Sequence, residues 1–449
     1  VDRNDQDPVG HSRLLERFKT SKAGRVLQVA DFRLLWIGAF VSFTGSWVQN
    51  VAQGHFVYDL TRDESKLAFV TFCNSFPVFI LGLVAGSLVD TMDRRKLLVA
   101  AQIVFSLGSL YLAAATFYGF VQYWHLPVVA AILGSVACFE MPARQSIVSK
   151  VVPPEDLASA VPIQAMTFNT ARIIGPAIGG LLLSRFGVAA CYLVNGLTFL
   201  VMIRNVLAIR TDLRSPKTEP QPVKDLVLEG TRFTWRDRRL RALFLLESLT
   251  AIFGIAYIPL MAAFVREELG MATEVAAKQV LANCYTSVGL GALFGLVLIA
   301  NFNEPRHRPF AIRFSMGSIA AGLCALSFAR TPEEAYPWLA LVGMSTIMQF
   351  NTTNALFQLL SPDRLRGRVL AMHIWALNGL SPLGVMLLGW LAAETRPDRI
   401  LSVFALNIQL PFGGVDATLI VGAAMMAVGT VAAILTRDGL SNLRMSEER

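Results

Sequence analysis

Residues 86–96 read GSLVDTMDRRK, and the fold turns on what these charges punctuate. Five of the last seven positions are charged, and they close an apolar run that begins at Leu67. A soluble loop can look like this, so the rest of the chain decides. Of its 449 residues, 54% are hydrophobic and 16% charged, with a mean hydropathy of +0.51. Soluble domains run at roughly 45–50% apolar and about 25% charged. Both departures point to lipid as the main solvent.

A helix needs about 20 apolar residues to cross the hydrocarbon core. Twelve runs pass that test, near 34–60, 67–89, 97–120, 126–147, 160–184, 188–209, 241–264, 276–300, 310–329, 336–360, 369–393 and 416–436. Strands of a membrane barrel would alternate in segments of about ten residues. These runs are continuous and rich in Leu, Ala, Gly and Val, so the expected class is an all-α integral membrane protein with twelve transmembrane helices. The polar start carries no cleavable signal pattern, and the first span is expected to serve as an uncleaved insertion signal.

The net charge of +8 invites a nucleic-acid reading, but its distribution excludes one. Alternate loops hold Arg13, Arg17, Lys19, Lys22 and Arg25, then Arg94, Arg95 and Lys96, then Lys150, the segment 210–239, Arg306, Arg308 and Arg313, and Arg364, Arg366 and Arg368. The other side holds scattered cations. The positive-inside rule then puts both termini in the cytoplasm. Cys73, Cys138, Cys191, Cys284 and Cys324 all lie in apolar runs without metal-ligand spacing and read as small packing residues.

The chain repeats itself. PEDLASAV from Pro154 pairs with PDRLRGRV from Pro362 at an offset of 208, and Gly82 and Gly86 match Gly291 and Gly295 at 209. Asp31, Arg33, Ser42 and Thr44 match Asp237, Arg239, Ser248 and Thr250 at 206. Two parallel six-helix repeats follow, related by an axis along the membrane normal, an arrangement suited to bundles that rock around a central site. The expected organisation is a cytoplasmic segment 1–33, a bundle 34–209, a cytoplasmic linker 210–240, a second bundle 241–436 and a tail 437–449. VKDLVLEGTRF in the linker reads as a short amphipathic helix on the membrane surface. Phe186, Leu193 and Gly196 pair with Phe412, Leu419 and Gly422 at 226, so the second half has gained about 20 residues on its outer side, around ILSVFALNIQLPFGG.

GSLVDTMDRRK is then the cytoplasmic turn between spans two and three. Gly82 and Gly86 form a GxxxG pair that admits a neighbouring helix, and Asp90 near the end of span two needs a partner. The pattern G-x-L-x-D-x-x-D-R-R-K resembles the loop 2-3 signature of the major facilitator superfamily. In that family, the Asp and Arg latch the bundles on the cytoplasmic side in one alternating-access state; the resemblance puts these roles on Asp90 and Arg94, with Gly86 as the close-contact residue. Ile299 and Asn303 stand at the repeat positions, so any such latch is asymmetric. FRLLWIGAFVSFTGSWVQ, MPARQSIVSKVVP, NTARIIGPAIGGLLLSRFG and LVLEGTRF resemble the branch of enterobactin-type siderophore exporters and related efflux proteins. That likeness implies a bacterial inner-membrane protein, with a monomer as its expected state.

Family architecture also implies that spans 1, 4, 7 and 10 line the cavity. They hold Gln49, Asn50 and Gln53; Glu140 and Arg144; Glu247 and Tyr257; and Gln349, Asn351 and Asn354. Glu140 precedes Arg144 by one helical turn, a favourable spacing, with Pro142 between them as a hinge. Two roles stay open, a proton-sensitive carboxylate or a structural ion pair. Arg172 lies about 12 residues, about 18 Å, inside span five, with Asn169 one turn before it. It must face a cavity or an acid: a substrate anion, Glu140 or another carboxylate. Glu247 either titrates during transport or reaches the cytoplasm from a bundle end.

No G-x-x-x-x-G-K-[ST] loop supports an ATP-driven pump, and GLGALFG at Gly289 lies inside a span without the strand a dinucleotide fingerprint needs. Neither a metal cluster nor a nucleophile triad is legible, and no cofactor is expected. The leading expectation is a proton-driven secondary exporter of small amphipathic molecules. The alternatives are an importer or facilitator of the same fold, and a membrane-embedded enzyme or sensor.

Overall fold

The computed structural model describes residues 22–89, 92–153, 156–213, 223–271, 273–301, 307–362, 365–395, 401–403, 406–408 and 413–435. The first half comprises α1 (Lys22–Gln28), α2 (Ala30–Thr61), α3 (Glu64–Val89), α4 (Arg94–Phe117), α5 (His125–Val151) and α6 (Leu157–Ala208). Gly187, at φ 77° and ψ −176°, breaks α6 into two arms, where the sequence separates spans five and six. A side chain strains this left-handed backbone, which glycine adopts freely. After α7 (Val223–Arg236), the second half begins with α8 (Arg238–Leu249), a π-helical turn Thr250–Gly254 and α9 (Met261–Glu267). It continues with α10 (Glu274–Asn301), α11 (Arg308–Leu326), α12 (Pro332–Leu360) and α13 (Arg366–Ile374), then a second π-helical turn Trp375–Gly379, α14 (Ser381–Glu394) and α15 (Gly414–Leu435).

Short connections suffice because acids in the loops cap the helices they precede. Asp93 accepts from the backbone N–H groups of Arg95 (3.0 Å) and Lys96 (3.2 Å), and Asp237 accepts from those of Arg239 (2.8 Å) and Leu240 (3.2 Å). Each satisfies donors that a helix start leaves orphaned. Between α14 and α15, β1 (Leu401–Val403) pairs antiparallel with β2 (Leu406–Ile408), Leu401 opposite Ile408. An all-α reading passes over this hairpin because its strands are three residues long and carry no span-length signal.

Eight helical stretches among the described residues are long and apolar enough to cross a membrane by length and composition, one of them running through both arms of α6. Three of the twelve expected runs fall short, 34–60, 241–264 and 336–360, and the reason is physical. The first and last carry Gln, Asn and Thr along their length, and the middle one leaves helical structure over 255–260, after its π turn. Outward, large apolar side chains such as Leu107, Phe294 and Val428 are exposed, as lipid-facing residues are.

In the first half, α2 and α4 pack on α6 and α3 on α5; in the second, α10 and α11 pack on α12 and α15 on α11. The halves meet along α6 with α10 and along α3 with α14. Each seam closes on a glycine: a Cβ on Gly180 would lie 2.1 Å from Ala282 Cβ, and one on Gly389 would lie 2.1 Å from Ala68 Cβ. Their separation, 389 minus 180, is 209, the offset seen in the sequence. Gly82 behaves otherwise: a Cβ there would meet only Val78 of its own helix, so no neighbouring helix closes on this half of the GxxxG pair.

The two ends of the molecule differ. We call the end that carries α7 the linker face and the end that carries the strands the hairpin face. Towards the hairpin face, one apolar cluster runs from Val48, Val51, Leu67, Val70 and Leu183 into Leu260, Met261, Leu281 and Tyr285 of the second half. Towards the linker face, the first half packs its own separate cluster of Phe32, Leu35, Leu98, Ile147, Met202 and Val206. The halves are joined at the hairpin face and have separate cores at the linker face.

Candidate functional site

A cavity of about 190 Å³ lies between the halves. Trp47, Gln49, Asn50, Gln53 and Val57 of α2, Val70, Thr71 and Asn74 of α3, and Val129 and Leu133 of α5 form one wall; Ile258, Pro259 and Tyr285 form the other. Pockets for drug-sized ligands occupy roughly 300–1,000 Å³, so this conformation admits a fragment-sized group. Gln49 is held in place, its carbonyl oxygen accepting from Ser109 Oγ (2.8 Å) and Asn195 Nδ2 (2.7 Å).

Two buried acids flank this region, one in each half. Glu140 sits ~16 Å from the linker end of α5 and accepts from Arg144 Nη2 at 2.8 Å and Gln102 Nε2 at 3.2 Å. The Arg144 guanidinium also lies 4.1 Å from the ring centre of Phe43. Both members of the pair are at most 6% exposed. Glu247, fully buried ~14 Å into α8, meets His373 Nδ1 of α13 at 2.7 Å, while its second oxygen, Oε1, has no hydrogen-bond partner among the described residues. Its complete burial places it in the protein interior. The His373 ring packs on Phe357, 5.4 Å between centres. Both residues lie just before the π-helical turns, a distortion common at functional sites. Two residues beyond His373, Trp375 crosses to the first half, where its Nε1 donates to Phe79 O (3.0 Å) and its ring stacks on Phe79.

Arg172 is not brought to Glu140. Its guanidinium lies 5.6 Å from the ring centre of Trp47, with Tyr257 and Tyr285 as electrostatic neighbours. Gln349 donates to Thr250 Oγ1 (2.7 Å) beside the first π turn. Asn351 donates to Ile347 O and Asn354 accepts from Gln358 Nε2, so these two amides are engaged on their own helix. The Asn169 side chain and the whole of Asp90 lie outside the described residues; Gly86 falls within α3, and Arg94 is buried at the start of α4. Beside it, Arg95 donates to Ile209 O and Thr211 O, pinning α4 to the end of α6.

A second charged group closes the hairpin face. Asp59 of α2 contacts Arg266 of α9 at 3.1 Å, Arg62 at 3.3 Å and His55 at 3.0 Å. Tyr58 donates to Glu267, and Lys278 pairs with Glu274. On the linker face, α7 packs on α13 rather than only on a membrane surface: Glu229 pairs with Arg368, and Thr231 donates to Met372 Sδ. His373, Trp375 and the Asp59–Arg266 contact escaped the sequence reading. His373 is one of five histidines and meets an acid 126 positions away, a pairing that no local spacing announces.

Comparison with known proteins places this geometry. The model of a family described as transmembrane secretion effector, of the major facilitator type, matches residues 25–436. Macrolide efflux protein A of Streptococcus pyogenes is 22% identical over 367 residues, 79% of this chain and 88% of that protein. The staphyloferrin A transporter of Staphylococcus aureus is 20% identical over 374 residues, 82% and 91% of the two chains. The multidrug efflux pump Tap of Mycolicibacterium fortuitum is 22% identical over 369 residues, 80% and 88%. Among solved structures, a bacterial homologue of the human lysosomal transporter Spinster, inward-facing and unoccupied, superposes with a TM-score of 0.71 at 14% identity, covering 95% of this chain and 99% of that one. The nucleoside transporter NupG gives a TM-score of 0.68 at 12% identity, covering 90% and 98%.

Proposed function

Because the chain belongs to the transmembrane secretion effector family of the major facilitator transporters, we propose that it is a proton-coupled secondary exporter of small amphipathic molecules, working by alternating access. It has twelve spans in two parallel six-helix repeats, and both termini lie in the cytoplasm of a bacterial cell whose inner membrane it crosses. The hairpin face is then external and the linker face cytoplasmic. With the halves joined outside and their cores separate inside, the conformation described is the inward-open one.

One observation carries the coupling: a fully buried carboxylate, Glu247, bound to an imidazole rather than a guanidinium. Imidazole is the side chain proteins most often use to shuttle protons. The pair sits next to both π turns and two residues from Trp375, which holds the first half. A proton arriving there acts on the element that joins the bundles. In the outward-open state, Asp90, Arg94 and Gly86 form the cytoplasmic latch, while the Asp59–Arg266 group opens. The relatives' cargoes, macrolides and staphyloferrin A, define the first compounds to try.

Inverted vesicles containing the purified chain, given erythromycin or staphyloferrin A, test this with and without an imposed pH gradient. Accumulation only with the gradient is expected. Gradient-independent equilibration would make the protein a facilitator, and concentration into right-side-out vesicles an importer.

A further inference from the structure

On the basis of the transporter reading above, we propose that the cargo carries an anionic group, a carboxylate or a chemically similar oxyanion, which docks on Arg172 beside the central cavity, with its apolar body in the cavity against Trp47 and Tyr285. A guanidinium near the middle of a membrane span is costly unless it is partnered or faces water. Around Arg172 the described residues offer an aromatic face, Trp47, and two phenols, Tyr257 and Tyr285, but no carboxylate ion pair. The Tyr285 hydroxyl already donates to Ile258 O at 3.1 Å.

The acids that could neutralise Arg172 are engaged elsewhere, Glu140 by Arg144 and Gln102, Glu247 by His373. Among the described residues, the centre of the molecule therefore presents a guanidinium without a carboxylate ion pair. Trp47 and Tyr285, their rings 6.4 Å apart, line the cavity, and the Arg172 guanidinium lies 5.6 Å from the Trp47 ring centre, so the charge stands beside the cavity wall without lining it. A guanidinium fork binds a planar carboxylate through two parallel hydrogen bonds, and like charge across a low-dielectric site disfavours an amphipathic cation.

The test uses the purified full-length chain and matched probes that differ only in charge, 2-naphthoate with 2-naphthamide and decanoate with decanamide. Dissociation constants are measured by calorimetry without any gradient. The carboxylate of at least one pair should bind ten times more tightly than its amide. Arg172→Gln should bring the two within a factor of two without lowering Tm, and Arg172→Lys should keep part of the preference. The proposal is overturned if neither pair discriminates in the unaltered protein, if discrimination survives Arg172→Gln, or if amide binding falls as far as carboxylate binding. Nanodiscs with and without phosphatidylglycerol separate a lipid headgroup from a free anion: an effect of that lipid alone overturns the cargo assignment. Because no gradient is present, loss of anion preference leaves proton-driven accumulation standing, and failure of accumulation leaves the preference standing.

Discussion

Glu140 and Glu247 are the same residue at nearly the same depth in the two halves, yet their partners make them different devices. Arg144, four residues away on the same helix, clamps Glu140 together with Gln102. His373 comes from another helix, brings an imidazole in place of a guanidinium, and leaves one oxygen of Glu247 without a hydrogen-bond partner among the described residues. Removing a partner from a buried pair is expensive, so the first pair is built to stay and the second to change. The sequence alone left both acids as equal coupling candidates; the geometry favours Glu247.

The largest expected effect comes from breaking the fixed pair. Arg144→Leu strands Glu140 and should cost about 3–5 kcal/mol of stability, read as a fall in Tm; Arg144→Leu with Glu140→Gln should recover most of it. An equal loss in both variants would trace the effect to packing on Phe43 instead. Next, His373→Arg makes the second pair resemble the first. Folding should survive, gradient-driven accumulation should fall at least tenfold, and the pH dependence of exchange between pH 5.5 and 8 should flatten. A retained pH profile would remove His373 from coupling.

The Asp59–Arg266 contact is a third type of pair, partly exposed and between halves. Such pairs are worth up to about 1 kcal/mol, so Asp59→Asn should shift the bundle equilibrium roughly fivefold. A Gln53→Cys reporter in a variant without native cysteines should then label faster from the hairpin face, and unchanged labelling would deny the contact a gating role. The smallest effect concerns a carboxylate outside the spans. Burial and the neighbouring Asp416 push Glu268 up to about 7. Because the folded state holds this proton more tightly than the unfolded chain, the contribution is complete below about pH 4.5 and disappears as pH rises through about 7. Solvent access limits it to under about 1 kcal/mol, and Glu268→Gln should erase that slope in Tm against pH.

Much of the fold was legible because lipid imposes a length and a hydropathy that single residues report independently. The offset of 209 recurred in space as the seams at Gly180 and Gly389. The site was legible only in its local parts. Glu140 and Arg144 share one helical turn, so their contact could be read; Glu247 and His373 do not, and Arg172 met Trp47 rather than an acid because helix packing, not spacing, sets which side chains meet. Asp31 and Asp237 show the same limit: as repeat partners they look alike, yet Asp237 caps its own helix while Asp31 accepts from Arg210 N and Thr211 N, just past the end of α6.

The π turn at Trp375–Gly379 also sets an angular phase. Such a turn carries one residue more than an α turn, and one residue is about 100° of helix rotation. Everything beyond it in α14 is therefore rotated relative to His373 by that amount, and in this phase Gly389 faces Ala68. The inserted residue works as a gear tooth: it lets one helix present His373 to its own bundle and a flat edge to the other.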